Sequence, residues 1–224
     1  MSLSHSNLAN ASDGRCEDYR GVKKYIVLRP YYEEGNLECI LQPDFIIGFE
    51  MWRNWLVQII TGMHKLEMEK IPHRTLSLSK IYTKAKVVKI TGMGLPRNFK
   101  DTPTRNYETV APEVIKGVEN ALKAGVFSFG MILYQFVYAR KPYDGWTIED
   151  FMIGVENDDH LDGMLKLIGS APEELRVLLI QCWSTDPLMR PGFANVLVLL
   201  ENFMHYFEKH DWEESMHKLR TSSS

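Results

Sequence analysis

Gly92-Met93-Gly94 follows a β-branched run over residues 87–90, and two glycines so placed after a strand are how a dinucleotide-binding turn begins. The third glycine of such a turn is replaced by Arg97, and Pro96 blocks the helix whose first turn would hold the pyrophosphate. That chemistry is set aside. Cys16, Cys39 and Cys182 are an odd number of thiols at wide spacing, which does not suit a disulfide framework. Cys39 and Cys182 sit in apolar surroundings and read as buried, reduced thiols, which places the chain in a reducing compartment, the cytoplasm. Asn10-Ala11-Ser12 has the spacing of a glycosylation sequon and reads as a chance match.

The elements that would position any site can be read from periodicity. The chain has 224 residues, 45% hydrophobic and 25% charged, enough for one large domain or two small ones. A net charge of -3, with no evident basic patch, gives no attraction to nucleic acid or to an anionic membrane. No apolar run reaches bilayer length, and the first residues lack the order of a signal peptide. Residues 126–138 are apolar at almost every position, which reads as a helix buried on all sides, the pillar of a helical domain. Trp52, Trp55, Leu56, Ile59, Ile60 and Met63 recur at intervals of three and four and form one apolar helix face. Residues 25–28 read as a strand closed by Pro30, residues 35–41 as a short helix entered at Asn36, and residues 81–83 and 87–90 as a hairpin.

Residues 97–110 are polar and aperiodic and read as an irregular surface segment, followed by a brief helix from Pro112. Thr147 with Asp150, and Ser170 with Pro172 and Glu173, read as helix N-terminal caps, the second opening a helix with Leu175, Leu178, Leu179, Cys182 and Trp183 on its buried face. A last helix carries Phe193, Val196, Leu197, Leu200, Met204 and Phe207 inward. Residues 1–20 read as a loose N-terminal segment, 21–209 as one domain and 210–224 as a flexible tail.

Four signals in a fixed order carry a resemblance: IPHRTL at 71–76, VVKITGMGL at 87–95, APE at 111–113, and VFSFGMILYQF at 126–136 with CWSTDPLMRPGF at 182–193. Together they resemble the larger, helical lobe of a eukaryotic protein kinase of the tyrosine-kinase-like or tyrosine-kinase branch, over about residues 25–207. The resemblance implies a mainly α fold, a kinase-like C-lobe carrying a small β-hairpin and a remnant of the N-lobe sheet. It also implies that residues 3–8 stand for the connection leading out of the small-lobe helix. The glycine-rich strand pair over the phosphates, its lysine and the helix glutamate then have no counterpart in this sequence.

The same resemblance implies an altered site. Thr75 stands where such kinases carry the catalytic Asp, Lys80 where a metal-binding Asn belongs, and Gly92 where the metal-binding Asp belongs. At the nucleotide cleft the matched positions are Arg29, Pro30, Tyr32 and Tyr82, with Tyr82 at the adenine floor, so the cleft is expected to be filled or redirected; Arg29 and Lys80 are its cations. On the peptide side Arg105-Asn106 and Thr109 replace the usual Gly-Thr and Tyr. His73, Arg74, Glu113 and Arg190 match structural positions, the last two forming a buried ion bridge in kinases. Gly125 replaces an Asp that braces the catalytic loop, and Tyr107 is a candidate phosphorylation site.

These readings lead to expectations of no catalytic residue, no metal and no cofactor, with ATP and magnesium not bound. The chain would be an inactive kinase-like protein, a pseudokinase and not an enzyme, acting as a protein-binding scaffold or allosteric regulator in intracellular signalling. Its partners would be other proteins, an active kinase or a second copy of itself. The alternatives are an atypical ATP-dependent kinase, with Asp101 taking over metal binding, and a nucleotide-binding sensor. A further reading has a partner cover an apolar face bordered by Tyr25, Met93 and the Trp52 helix.

Overall fold

The computed structural model describes residues 4–9, 11–41, 47–93, 107–118 and 121–221. The fold is mainly α with two small antiparallel sheets. The elements in chain order are β1 (Asp13–Tyr19), β2 (Val22–Leu28), α1 (Leu37–Ile40), α2 (Phe49–Met68), β3 (Ile81–Lys84), β4 (Val87–Ile90), α3 (Pro112–Ile115), α4 (Ala124–Tyr138), α5 (Ile148–Asn157), α6 (Asp162–Leu167), α7 (Glu173–Cys182), α8 (Phe193–Lys209) and α9 (Trp212–Thr221).

α4 is the pillar that residues 126–138 predict: every position but Gln135 is buried. It packs against α7 and α9, while α2 and α8 pack together beside it. α2 buries the expected face of Trp52, Trp55, Leu56, Ile59, Ile60 and Met63. β3 and β4 form the expected hairpin, turned by Ala85 and Lys86 at positive φ. Residues 4–9 dock on it, with Ile90 N donating to Asn7 O at 2.8 Å and Ala9 N donating to Ile90 O at 2.8 Å. Asn7 Nδ2 donates to Gln58 Oε1 (2.7 Å), which ties this segment to α2.

Several expectations are corrected. Residues 13–19 are not loose: they pair along their whole length with β2, setting Glu17 opposite Lys24 and Asp18 opposite Lys23. Opposite charges across a ladder stabilise a strand that has no apolar alternation to advertise it. Nor is the C-terminal region a uniformly flexible tail, because α9 buries Met216 and Leu219 and lays Trp212 against Trp52 with ring centres 4.9 Å apart. The Trp52 ring itself is covered by α8 and α9; the Tyr25 side chain lies outside the described residues. Thr147 and Asp150 do form a reciprocal capping box on α5. Ser170 does not cap α7, because residues Ile168–Ser170 close a 3-10 turn and Pro172 holds extended backbone just before the helix. Cys39 is exposed, since the single turn of α1 buries only Leu37; Cys182 is buried, and all three cysteines are free.

α5 is held on the pillar by an aromatic cluster of Phe127, Tyr143, Phe151 and His160. His160 is 2% exposed, and neither ring nitrogen makes a hydrogen bond of normal geometry among the described residues. Burial holds its pKa below the ordinary histidine value; the nearby Gly154 carbonyl, Asp158 and Asp159 pull it up, while Lys116 pushes it down. The unfolded chain therefore binds a proton that the folded chain refuses. Stability is expected to fall as pH drops below about 6.5, by up to about 1.4 kcal/mol per pH unit from this residue. Urea unfolding across that range should show the slope, and His160→Leu should flatten it.

Candidate functional site

The loop after α2 leads through His73, Arg74 and Thr75 to a 3-10 turn at Leu78–Lys80 and on into β3. His73 is buried, with Nε2 2.9 Å from the carbonyl oxygen of Thr91; Arg74 is half-buried. Thr91 in turn donates from its N–H (2.9 Å) and its hydroxyl (3.0 Å) to the Lys80 carbonyl. These bonds pin the end of β4 to the start of β3. They bring Gly92 against Thr75 and Lys80, which lie five residues apart in the loop before β3.

Lys80 Nζ donates to Thr75 Oγ1. Its stem runs along Gly92, where an added Cβ would come within 3.2 Å of Lys80 Cδ and 3.7 Å of Nζ. Gly92 adopts φ of 82°, a left-handed conformation that few other residues hold without strain. The described part of the cluster thus presents a hydroxyl, an ammonium and a bare backbone. Among these side chains the Thr75 hydroxyl is the one neutral oxygen of the kind that holds a hard cation, and it already accepts from Lys80. Gly94, Pro96, Arg97, Asp101, Arg105 and Asn106 lie outside the described residues.

Above this cluster, Arg29 holds its guanidinium 5.0 Å from the centre of the Tyr82 ring and donates from Nη2 to the Tyr82 hydroxyl at 3.2 Å. Tyr32 also packs on Tyr82, with ring centres 5.5 Å apart and the planes tilted by 37°. Burial raises the Tyr32 phenol pKa, partly offset by Arg29. Pro30 is exposed beside them. Arg29, Tyr82 and Tyr32 are thus one cation-aromatic stack, whereas Arg29 and Lys80 have separate partners.

The base of the site is tied by two polar anchors. Arg190 gives Glu113 two parallel bonds, Nη1 to Oε1 at 2.6 Å and Nη2 to Oε2 at 2.9 Å. Its Nε donates to the Ser184 carbonyl (2.8 Å), and the guanidinium lies 5.1 Å from the centre of the Phe127 ring. Arg190 is 2% and Glu113 9% exposed, so the pair joins α3 to the loop before α8 inside the protein. The second anchor is one that the sequence reading does not single out. Glu67, at the end of α2, accepts from Lys123 Nζ (2.8 Å) and from the Phe193 N–H (2.8 Å) that opens α8. Burial pushes the Glu67 carboxyl up, but its bonds to Lys123 and Phe193 hold it below the usual range.

Beside Gly125 lies the methyl end of Met63, 2.5 Å from where an added Cβ would stand, a flexible end that can shift at little cost. Tyr107, in the 3-10 turn Tyr107–Thr109, is half-buried against Phe151 with ring centres 5.1 Å apart, and its hydroxyl donates to the Trp146 carbonyl at 2.8 Å. Burial raises its pKa, and Glu108, Asp150 and Glu149 add to the shift. A phosphate placed there would break the bond to Trp146 and enter an acidic surrounding.

The family model described as protein tyrosine and serine/threonine kinase matches residues 1–200. Among curated proteins, mitogen-activated protein kinase kinase kinase 12 of Rattus norvegicus is 29% identical over 79% of this chain and 20% of its own length. A mitogen-activated protein kinase kinase kinase of Drosophila melanogaster is 30% identical over 89% of this chain and 18% of itself. Mitogen-activated protein kinase kinase kinase 11 of Homo sapiens is 33% identical over 66% of this chain and 19% of itself. The chain thus spans about a fifth of the length of these relatives. All are named as kinases, which overturns the expectation that the chain is not an enzyme and leaves the expected exclusion of ATP and magnesium without support.

Removing one partner of a buried ion pair leaves the other charge uncompensated, at a cost of roughly 3 to 5 kcal/mol. Arg190→Ala is expected to lower stability by that amount in urea unfolding. The double variant Glu113→Ala/Arg190→Ala should lose less than the sum of the two single changes.

Proposed function

Because the chain belongs to the protein tyrosine and serine/threonine kinase family, we propose that its kinase-like large lobe serves intracellular signalling by binding other proteins, as a scaffold or allosteric regulator of a kinase. The observation that carries this reading is the buried Glu113–Arg190 bridge, which holds the segment around α3 to the loop before α8 and so fixes the shape of the lobe's surface. A pillar buried on all sides supports the same reading, because it makes the helices around it one rigid body able to present a constant face. Among the described residues no helix is long and apolar enough to cross a membrane. The three free thiols suit a reducing cytoplasm.

A second reading, ATP-dependent phosphoryl transfer of an unusual kind, is favoured by the names of the relatives. In it the Lys80 ammonium, fixed by Thr75 beside Gly92, would meet the phosphates as a point charge.

Calorimetric titration of the purified chain into the purified kinase domain of human mitogen-activated protein kinase kinase kinase 11 distinguishes the two. The scaffold reading expects saturable binding and a changed rate of phosphoryl transfer by that kinase. Absence of binding, together with labelled phosphate transferred by the chain alone and a thermal shift of roughly 5 to 10 °C with ATP and magnesium, would replace it by the second reading.

A further inference from the structure

β1 and β2 form a ribbon of two seven-residue strands, and among the described residues no third strand joins it. A lone two-stranded ribbon is marginal in water, and an unpaired edge is a template for another strand. The two edges are unequally protected. β1 carries the charges of Asp13, Arg15, Glu17 and Asp18 and the flexible Gly14, all of which discourage further pairing. β2 has Lys23 and Lys24 toward one end and Ile26, Val27 and Leu28 at the other, with Val27 and Leu28 each 51% exposed.

The turn decides which backbone groups of β2 face outward. Arg20 and Gly21, both at positive φ, are the only residues between Tyr19 and Val22, so that pair is the last hydrogen-bonded one. Bonded pairs then recur at every second position, Glu17 with Lys24 and Arg15 with Ile26. The N–H and C=O groups of Lys23, Tyr25 and Val27 therefore point away from β1, along the free edge. Any strand added there has to pair with these three residues.

Building on the protein-binding reading above, we propose that this edge joins two copies of the chain, β2 running antiparallel to the β2 of its symmetry mate and centred on Tyr25, in one four-stranded sheet. In that register Lys23 faces Val27 of the partner subunit, Lys24 faces Ile26 of the partner subunit and Val22 faces Leu28 of the partner subunit. The outward-facing residues pair with one another and no like charges are opposed. The neighbouring registers lack this property. Centring on Lys24 sets that lysine against its own copy, and centring on Ile26 sets Lys23 against Arg29 of the partner subunit. The contact is isologous and closes at two copies, since only the charged β1 edges remain outside.

Sedimentation equilibrium of the purified full chain tests this. The wild type is expected to dimerise. Val27→Lys opposes like charges twice in each dimer and should weaken association by about tenfold or more. Val27→Glu removes the same apolar side chain from the same exposed place but sets opposite charges across the edge, and should remain dimeric. Cys16→Lys, on the β1 edge, should leave association unchanged. A wild type that stays monomeric throughout the concentration range, or position-27 variants that associate alike, would overturn the proposal. If such a monomer still binds the kinase, only the sheet contact has failed; a dimer that binds no kinase retains the contact and refutes the scaffold reading.

Discussion

Burial of α4 on every side is the constraint from which the rest of the molecule follows. A helix with no solvent face has to be enclosed, and the chain does so with α7, α9, the aromatic cluster of α5 and the turn at Tyr107–Thr109. Enclosure leaves polar groups with nowhere to hydrate, and those at two key joints are paired inside. Ser128, on α4, donates its hydroxyl to Thr109 O at 2.7 Å, and Arg190 spends its guanidinium on Glu113, Ser184 and Lys123. Pairing of this kind adds little net stability when complete and costs heavily when broken, so it fixes which arrangement of helices is allowed.

The same logic reaches the cleft. Two polar ties, His73 to Thr91 and Thr91 to Lys80, hold the loop after α2 against the hairpin, and the bond to Thr75 places the Lys80 ammonium. What stands at this place in the protein is a lysine bonded to a threonine over a glycine. The family and the relatives assign the chain to the kinases, and the geometry shows how its particular residues occupy the common frame. The frame and the occupants are separable: Glu113–Arg190 and Glu67–Lys123 hold the lobe together without touching the cluster at Thr75.

The parts legible in the sequence are those whose burial is periodic or total. α2 and α8 show one apolar stripe each, and α4 shows no polar face, so all three can be read directly. β1 is exposed on both faces, so no alternation marks it; its partner is recognisable only once the Arg20-Gly21 turn pairs Glu17 with Lys24. In α9 three apolar residues, Trp212, Met216 and Leu219, lie among charged ones, and the stripe is too short to stand out from a polar tail. Thr75, Lys80 and Gly92 can be singled out from motif order, but their meeting is a property of the folded chain. Glu67 and Lys123 are 56 residues apart with no spacing that links them, and a polar residue at a helix end is ordinarily surface.

Native-state hydrogen exchange followed residue by residue tests the central claim, that a pillar enclosed on all sides makes the lobe one rigid unit. Amides of α4 and α7 are expected to exchange last and together, at the rate set by global unfolding, with the α2 and α8 contact close behind. Exchange of α4 at the rate of an exposed element such as β1, or well before α8, would contradict the account, because the pillar would then open without the rest of the lobe.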